Sequence, residues 1–143
     1  MSPLEHAIAL AARAHAGQVD KAGQPYILHP LRVMLRLEGA DERVVAVLHD
    51  VVEDTLWTFE ALEAEGFSSA VLAGLEAVTR RGGETYDDFV RRAAAHPVGR
   101  RVKRADLEDN LDATRIAAPT ERDRARFEKY RAALVLLDEV ASA

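Results

Sequence analysis

The sequence predicts an all-α fold, one compact bundle of about seven or eight helices occupying residues 1–143 as a single domain. Three observations carry that expectation. Apolar residues recur at helical spacing in almost every segment, and no stretch alternates apolar and polar residues as a half-buried strand does. Ser, Thr or Asp, or a Pro at the first helical position, stands ahead of most of the apolar-periodic runs, where a helix start needs a cap. Alanine is abundant and aromatics make up only 6% of the chain, which favours close-packed helices.

Taken in order, Ser2 caps a helix over Pro3–Ala16 whose apolar stripe is Leu4, Ala7, Ile8, Ala11 and Ala12. Residues 17–25 form a polar, glycine-containing loop. Pro30 opens a short helix to Leu37, with His29 as its N-cap or the last loop residue. Asp41 caps the next helix, which runs to about Val52. That helix is apolar nearly all round and is therefore expected to be central and buried. Thr58 caps a short helix through Glu65, closed by Gly66, and Ser68 or Ser69 starts another to about Thr79. Arg80-Arg81-Gly82-Gly83 is a basic, flexible link. The remaining helices cover Thr85–Ala95, Pro97–Leu111 and Thr120–Ala141.

Composition narrows the function. The 48% hydrophobic and 30% charged fractions are those of a soluble globular protein. With no Cys, disulfides, thiolate zinc sites and Cys nucleophiles are excluded. No secretory segment or long apolar span is present, so the expected compartment is the cytoplasm, with no membrane contact. A net charge of −5 argues against binding a nucleic-acid polymer, since no basic excess exists to release counterions. A small anion held by a few local Arg and Lys side chains stays compatible with it.

The richest segment is LHDVVEDT, Leu48 to Thr55, which puts four ionisable side chains into an otherwise greasy run. Burying that many charges is costly unless they pair or bind a metal. On one helix, Glu53 follows His49 by a turn and Asp54 follows Asp50 by a turn. Further ligands would come from elsewhere. His29, fixed beside Pro30, and Asp106, in VKRADLEDN among Val102, Ala105 and Leu107, are the candidates, with Asn110 one turn beyond Asp106. Two His and two Asp suit Mn, Fe, Zn or Ni better than Mg or Ca. The residues alone leave two readings open: a divalent-metal site, and a metal-free cluster in which the histidines are hydrogen-bonded core residues. Elsewhere the bland reading leads. His15 reads as a helix C-terminal cap, and His6 and His96 as surface residues. Arg80-Arg81 read as a solvated turn more readily than as a phosphate clamp, and Arg126 with Tyr130 as a surface salt-bridging face. Gly82-Gly83 is not a P-loop, and no Ser–His–Asp arrangement is recognisable.

Together, AHAGQVDKAGQPYILHP (Ala14 to Pro30), LHDVVEDT and VKRADLEDNL (Val102 to Leu111) resemble the HD hydrolase domain of RelA/SpoT homologues, of the stand-alone small alarmone hydrolase type. The resemblance covers roughly Leu4 to Leu134 and rests on three motifs in the family's order. It implies an HD-type all-α bundle holding one divalent ion, usually Mn(II). The activity it implies is removal of the 3′-pyrophosphate from nucleotides such as guanosine 3′,5′-bis(diphosphate). Position by position, His29, His49, Asp50 and Asp106 resemble the metal ligands, and Glu53 and Asp54 the pair that serves the attacking water. Lys21, Tyr26, Asn110, Arg126 and Tyr130 resemble nucleotide-contacting residues. Two departures bear on the base. Asp20 stands where the family carries a purine-stacking Arg, and Asp112 where a basic residue is common. Arg13 or Arg32 is a candidate substitute for that Arg. Adenosine analogues of the alarmone, another HD-type nucleotide phosphohydrolase activity and a non-catalytic nucleotide sensor are the alternatives. The intact Glu53-Asp54 pair counts against the sensor.

Overall fold

A computed structural model describes residues 2–142. Its helices are α1 (Pro3–Ala14), α2 (Leu28–Leu35), α3 (Ala40–Leu48), α4 (Val51–Asp54), α5 (Phe59–Ala64), α6 (Ser69–Ala77), α7 (Tyr86–Ala94), α8 (Pro97–Asn110) and α9 (Glu121–Ser142). A short 3-10 turn, Ala113–Arg115, joins the last two. Among the described residues the only β-type pairing is one bridge, Val19 with Pro25, so the all-α expectation holds.

Local chemistry sets the boundaries. At α1, Glu5 N–H donates to Ser2 Oγ at 3.2 Å and Ser2 N–H donates to Glu5 Oε1 at 3.0 Å, a reciprocal cap that satisfies two orphan donors. Thr58, Ser68 and Thr85 each accept a backbone N–H three residues on, as their sequence positions imply. His96, expected at the surface, is half-buried and caps α8 by accepting the Gly99 N–H at 3.1 Å. Gly39, not Asp41, is the N-cap of α3, with Asp41 inside the first turn, where its charge suits the helix dipole.

Helix α3 is the axis of the molecule, packed against α1, α2, α6 and α8. Val44 to Leu48 are all buried, as the all-round apolar pattern predicts. Fully burying a side chain such as Leu48 stabilises the fold by about 1.5–3 kcal/mol. At Gly74 the approach of α6 is so close that a Cβ would lie 2.9 Å from Val45 Cγ2, which leaves room only for hydrogen. A second apolar cluster, Val90, Ala94, Leu107, Ala133 and Leu137, ties α7 and α8 to α9. None of the described helices is long and apolar enough to cross a membrane.

Two helix boundaries also differ from the sequence expectation. The helix expected from Asp41 to about Val52 is interrupted: α3 stops at Leu48, His49 and Asp50 form a turn, and α4 restarts at Val51. At the break the His49 Nδ1 donates to Ala46 O at 2.6 Å and so competes for a carbonyl of the helix ladder. The helix expected from Pro30 instead begins at Leu28 and ends at Leu35, so His29 is a buried first-turn residue rather than a cap. Pro30 is tolerated there because the first helical N–H groups have no internal partner.

Candidate functional site

The turn between α3 and α4, the start of α2 and the middle of α8 converge on one buried cluster. His29 and His49 are 5% and 3% exposed, and their ring centroids lie 5.2 Å apart. His29 Nε2 lies 2.9 Å from Asp106 Oδ1 and 3.8 Å from Asp50 Oδ2. His49 Nε2 lies 3.1 Å from Asp50 Oδ2 and 3.4 Å from Asp106 Oδ1. One ligand atom from each of His29, His49 and Asp50 falls within 4.8 Å of the others. The four residues singled out from the sequence are therefore brought together.

The hydrogen bonds around the cluster orient both rings. A carbonyl and a carboxylate can only accept, so Nδ1 of each histidine carries the proton: His49 donates to Ala46 O, and His29 donates to Asp109 Oδ2 at 2.6 Å. Each Nε2 then points inward. His49 Nε2 is buried and makes no hydrogen bond, although two carboxylates face it. Two inward Nε2 atoms facing the Asp50 and Asp106 carboxylates offer one divalent cation four donor groups, beside the ammonium of Lys103 already paired with Asp106. The donor set fits a possible His/Asp metal site, with the opposite nitrogens held by a carboxylate and a carbonyl.

The same cluster perturbs its own titration. Burial opposes ionisation of Asp50, yet the neighbouring His49 outweighs it and holds the carboxyl at about 2. Asp106 is likewise held well below its ordinary range, with Lys103 Nζ at 3.1 Å overcoming burial. Burial would lower His29 and His49, but the carboxylates that face them raise both.

Beside the cluster lies a cavity of about 490 Å³ lined by His29, Asp50 and Asp106. Lys21, Tyr26, Glu53, Asn110, Arg126 and Tyr130 share that lining, so most of the expected site residues meet there. Tyr26 Oη donates to Asp50 Oδ2 at 2.5 Å, and burial followed by the Asp50 charge pushes the phenol far above its ordinary range. Asn110 Nδ2 donates to Asp106 Oδ1 at 3.1 Å. Both side chains thus brace a carboxylate of the cluster. Arg126 is paired with Asp123, which also accepts the Thr120 N–H at 2.9 Å.

Glu53 and Asp54 divide. Expected as buried carboxylates, both are exposed, on the second half of α4 after the buried Val51. Glu53 lines the cavity and accepts the Arg80 N–H at 2.6 Å. Partial burial, with Asp50 and Asp54 nearby, raises its carboxyl. Asp54 is not part of the cavity wall, although burial and Asp50 raise it too.

Several residues escaped the sequence reading. Asp109 is fully buried and accepts from His29, from Arg32 Nε at 2.8 Å and from Arg32 Nη2 at 3.2 Å. The available signal was its position three residues after Asp106 on the same helical face. Arg32 is committed to Asp109 and Arg13 is exposed, so neither faces the cavity. Arg115 does, with Nη2 donating to Asp109 O at 2.7 Å and Nη1 lying 3.6 Å from Asp20 Oδ2. Asp20 itself builds the loop: its Oδ1 accepts the Ala22 and Gln24 N–H groups at 2.9 Å each, and Gly23 closes the turn at φ +80.

Comparison with known proteins agrees with this geometry. Over 121 residues the chain is 36% identical to the guanosine-3′,5′-bis(diphosphate) 3′-pyrophosphohydrolase of Aquifex aeolicus, covering 76% of this chain and 17% of that protein. It is 34% identical over 137 residues to a probable GTP pyrophosphokinase of Mycobacterium leprae, covering 87% of this chain and again 17% of the relative. The chain therefore spans about a sixth of the length of these relatives. A solved structure of a metazoan orthologue of SpoT, which hydrolyses ppGpp and plays a role in starvation responses, superposes with a TM-score of 0.80. That match has 25% identity and covers 96% of this chain and 86% of the other. Residues 7–135, which contain the whole His–Asp cluster and the cavity residues, match the HD domain, and the chain belongs to the HD-domain family.

Proposed function

We propose that this chain is a metal-dependent hydrolase, a single HD-type domain over residues 1–143. In this reading it removes the 3′-pyrophosphate of alarmone nucleotides of the guanosine 3′,5′-bis(diphosphate) type and releases pyrophosphate. The observation that supports it most is the buried meeting of His29, His49, Asp50 and Asp106 beside a cavity carrying Lys21, Arg80, Lys103, Arg115, Arg126 and Lys129. The relatives named for this reaction supply the substrate class.

The four residues would hold one divalent ion, Mn(II), which when bound lowers the pKa of water and polarises a phosphoryl oxygen. This chain's own groups do the rest. Glu53, with its carboxyl raised and one oxygen fixed by the Arg80 N–H, is positioned to take the proton of the attacking water. Asp54 stands one residue further on, its carboxyl raised by burial and by the charge of Asp50, and assists Glu53 in serving that water. Tyr26 and Asn110 keep Asp50 and Asp106 in fixed orientations. Lys21, Arg126 and Tyr130 hold the nucleotide from the loop and α9, and the cations offset its charge. The working compartment is the cytoplasm and the partner a small nucleotide, not a nucleic-acid polymer.

A panel of guanosine and adenosine nucleotides, with and without 3′-pyrophosphate, tested with Mn(II) and resolved by chromatography, tests the reading. Loss of pyrophosphate from the 3′-substituted nucleotides alone is the expected result. Turnover confined to other phosphate esters would overturn it.

A further inference from the structure

Three cations of the cavity gather round one aromatic ring. Lys129 Nζ, on α9, lies 4.0 Å from the centroid of Tyr86 at the start of α7. Lys103 Nζ, on α8, lies 5.6 Å from the same centroid and 4.8 Å from that of Phe89. Arg80 Cζ lies 5.9 Å from the Tyr86 centroid. A ring quadrupole attracts cations but does not neutralise them.

The charge balance is uneven. Among the described residues Lys103 has Asp106 for a partner, while the Arg80 guanidinium donates only to the Glu84 carbonyl, at 3.3 and 3.1 Å. Lys129 has no acid. Its ammonium is lowered by burial and then by Arg80 and Lys103, so every charge that perturbs it is positive. Beside these groups the Tyr86 hydroxyl is buried and has no hydrogen-bond partner among the described residues. Cations left to repel one another around an unused hydroxyl are what an anion with several oxygens would satisfy.

The other cations of the cavity are differently placed. Lys21 feels Arg126, Asp123 and Arg122, so that group contains its own acid. Tyr130 lines the same cavity as both groups.

We propose that Lys129, Arg80 and Lys103, arrayed on Tyr86, form a subsite for the outer phosphate of a pyrophosphoryl group. The assignment rests on the function proposed above for the identity of the ligand, and it adds to that reading which end of the cavity receives the group being released. Lys129 is the residue that makes the subsite, because it brings a charge with no structural partner. Tyr86 is a positioning residue that holds the ammonium over the cavity.

Equilibrium titration with inorganic pyrophosphate, at a fixed free concentration of Mn(II), reads the subsite without turnover. Lys129 is exposed on α9, so Lys129→Met should fold normally. It is expected to bind pyrophosphate at least about tenfold more weakly, the loss of one charge-assisted hydrogen bond. Lys129→Arg should stay within about threefold of the original protein, and Tyr86→Leu should weaken binding as Lys129→Met does. Pyrophosphate affinity that is unchanged in Lys129→Met, or absent in the original protein, overturns the proposal. Alarmone turnover by the original protein is scored separately. Affinity that depends on Lys129 in a protein unable to cleave the alarmone would refute the proposed function and leave the subsite standing.

Discussion

Replacing Asp109 by Asn should damage both the fold and the metal site, although this residue of VKRADLEDNL has no role in the sequence expectation. Its carboxylate is fully buried and receives the His29 ring, the Arg32 guanidinium and, at 3.6 Å, Arg115 Nη2. Burial disfavours its charge, yet the hydrogen bonds from His29 and Arg32 hold its carboxyl far below the ordinary range. Asn keeps the shape but presents an amide donor to groups that are themselves donors. Breaking one partner of a buried ion pair costs about 3–5 kcal/mol. Arg32 and Arg115 are only partly buried, with side chains 29% and 25% exposed, so water recovers part of that and the lower end applies. For a domain of this size about 3 kcal/mol corresponds to a fall in Tm on the order of 10 °C. The His29 ring also loses the acceptor that fixes its tautomer, and such a loss weakens metal binding about 10–100-fold. Denaturant unfolding and Mn(II) titration of Asp109→Asn measure the two effects. Glu108→Gln on the exposed side of α8 is the control and should stay within about 0.5 kcal/mol. An Asp109→Asn protein with unchanged stability and unchanged Mn(II) affinity would refute the reasoning.

Other substitutions separate the remaining roles. His49→Ala or Asp50→Ala should abolish stoichiometric metal binding while far-ultraviolet circular dichroism stays near that of the original protein. Glu53→Gln, which keeps an acceptor for the Arg80 N–H, should lower kcat by at least about 10²-fold with metal retained. Asp54→Asn should cost less, because Asp54 stands outside the cavity wall; equal losses would show that the two carboxylates work as a unit. Asp20→Arg should raise KM for the alarmone, since it deletes two turn hydrogen bonds and sets a cation beside Arg115; a lowered KM would show that the loop tolerates a stacking Arg. Hydrogen bonds from Arg92 and the Arg81 N–H hold Glu84 at about 2 against an ordinary 4.5. A depressed folded-state carboxyl stabilises above its unfolded pKa and loses that contribution as pH falls. Unfolding followed between pH 5 and 2 should therefore show an acid-dependent loss that is smaller in Glu84→Gln.

Much of this architecture was legible because helix starts are written locally. Ser2, Thr58, Ser68 and Thr85 each cap where a short polar side chain precedes an apolar-periodic run. The buried axis was legible in the unbroken Val44–Leu48 run. The break after Leu48 was not: there the His49 ring bonds Ala46 O, a contact that no residue pattern encodes. Of the candidate site, the four clustered residues and the cavity residues Lys21, Tyr26, Glu53 and Asn110 lay in the three linked motifs, whereas Arg126 and Tyr130 stood out only through the resemblance. Asp109 was hidden because a carboxylate in a charged helix looks solvated until α2 is laid against it. Lys129 was hidden likewise: in RFEKYR it reads as surface charge, and only the packing of α7 against α9 sets it over Tyr86.

The most direct measurement of the central claim is product analysis of guanosine 3′,5′-bis(diphosphate) incubated with the purified chain while Mn(II) is titrated. Pyrophosphate and guanosine 5′-diphosphate should appear in equal amounts, with the rate saturating at one Mn(II) per chain. Turnover that persists in chelator, or that releases phosphate without pyrophosphate, would contradict the account.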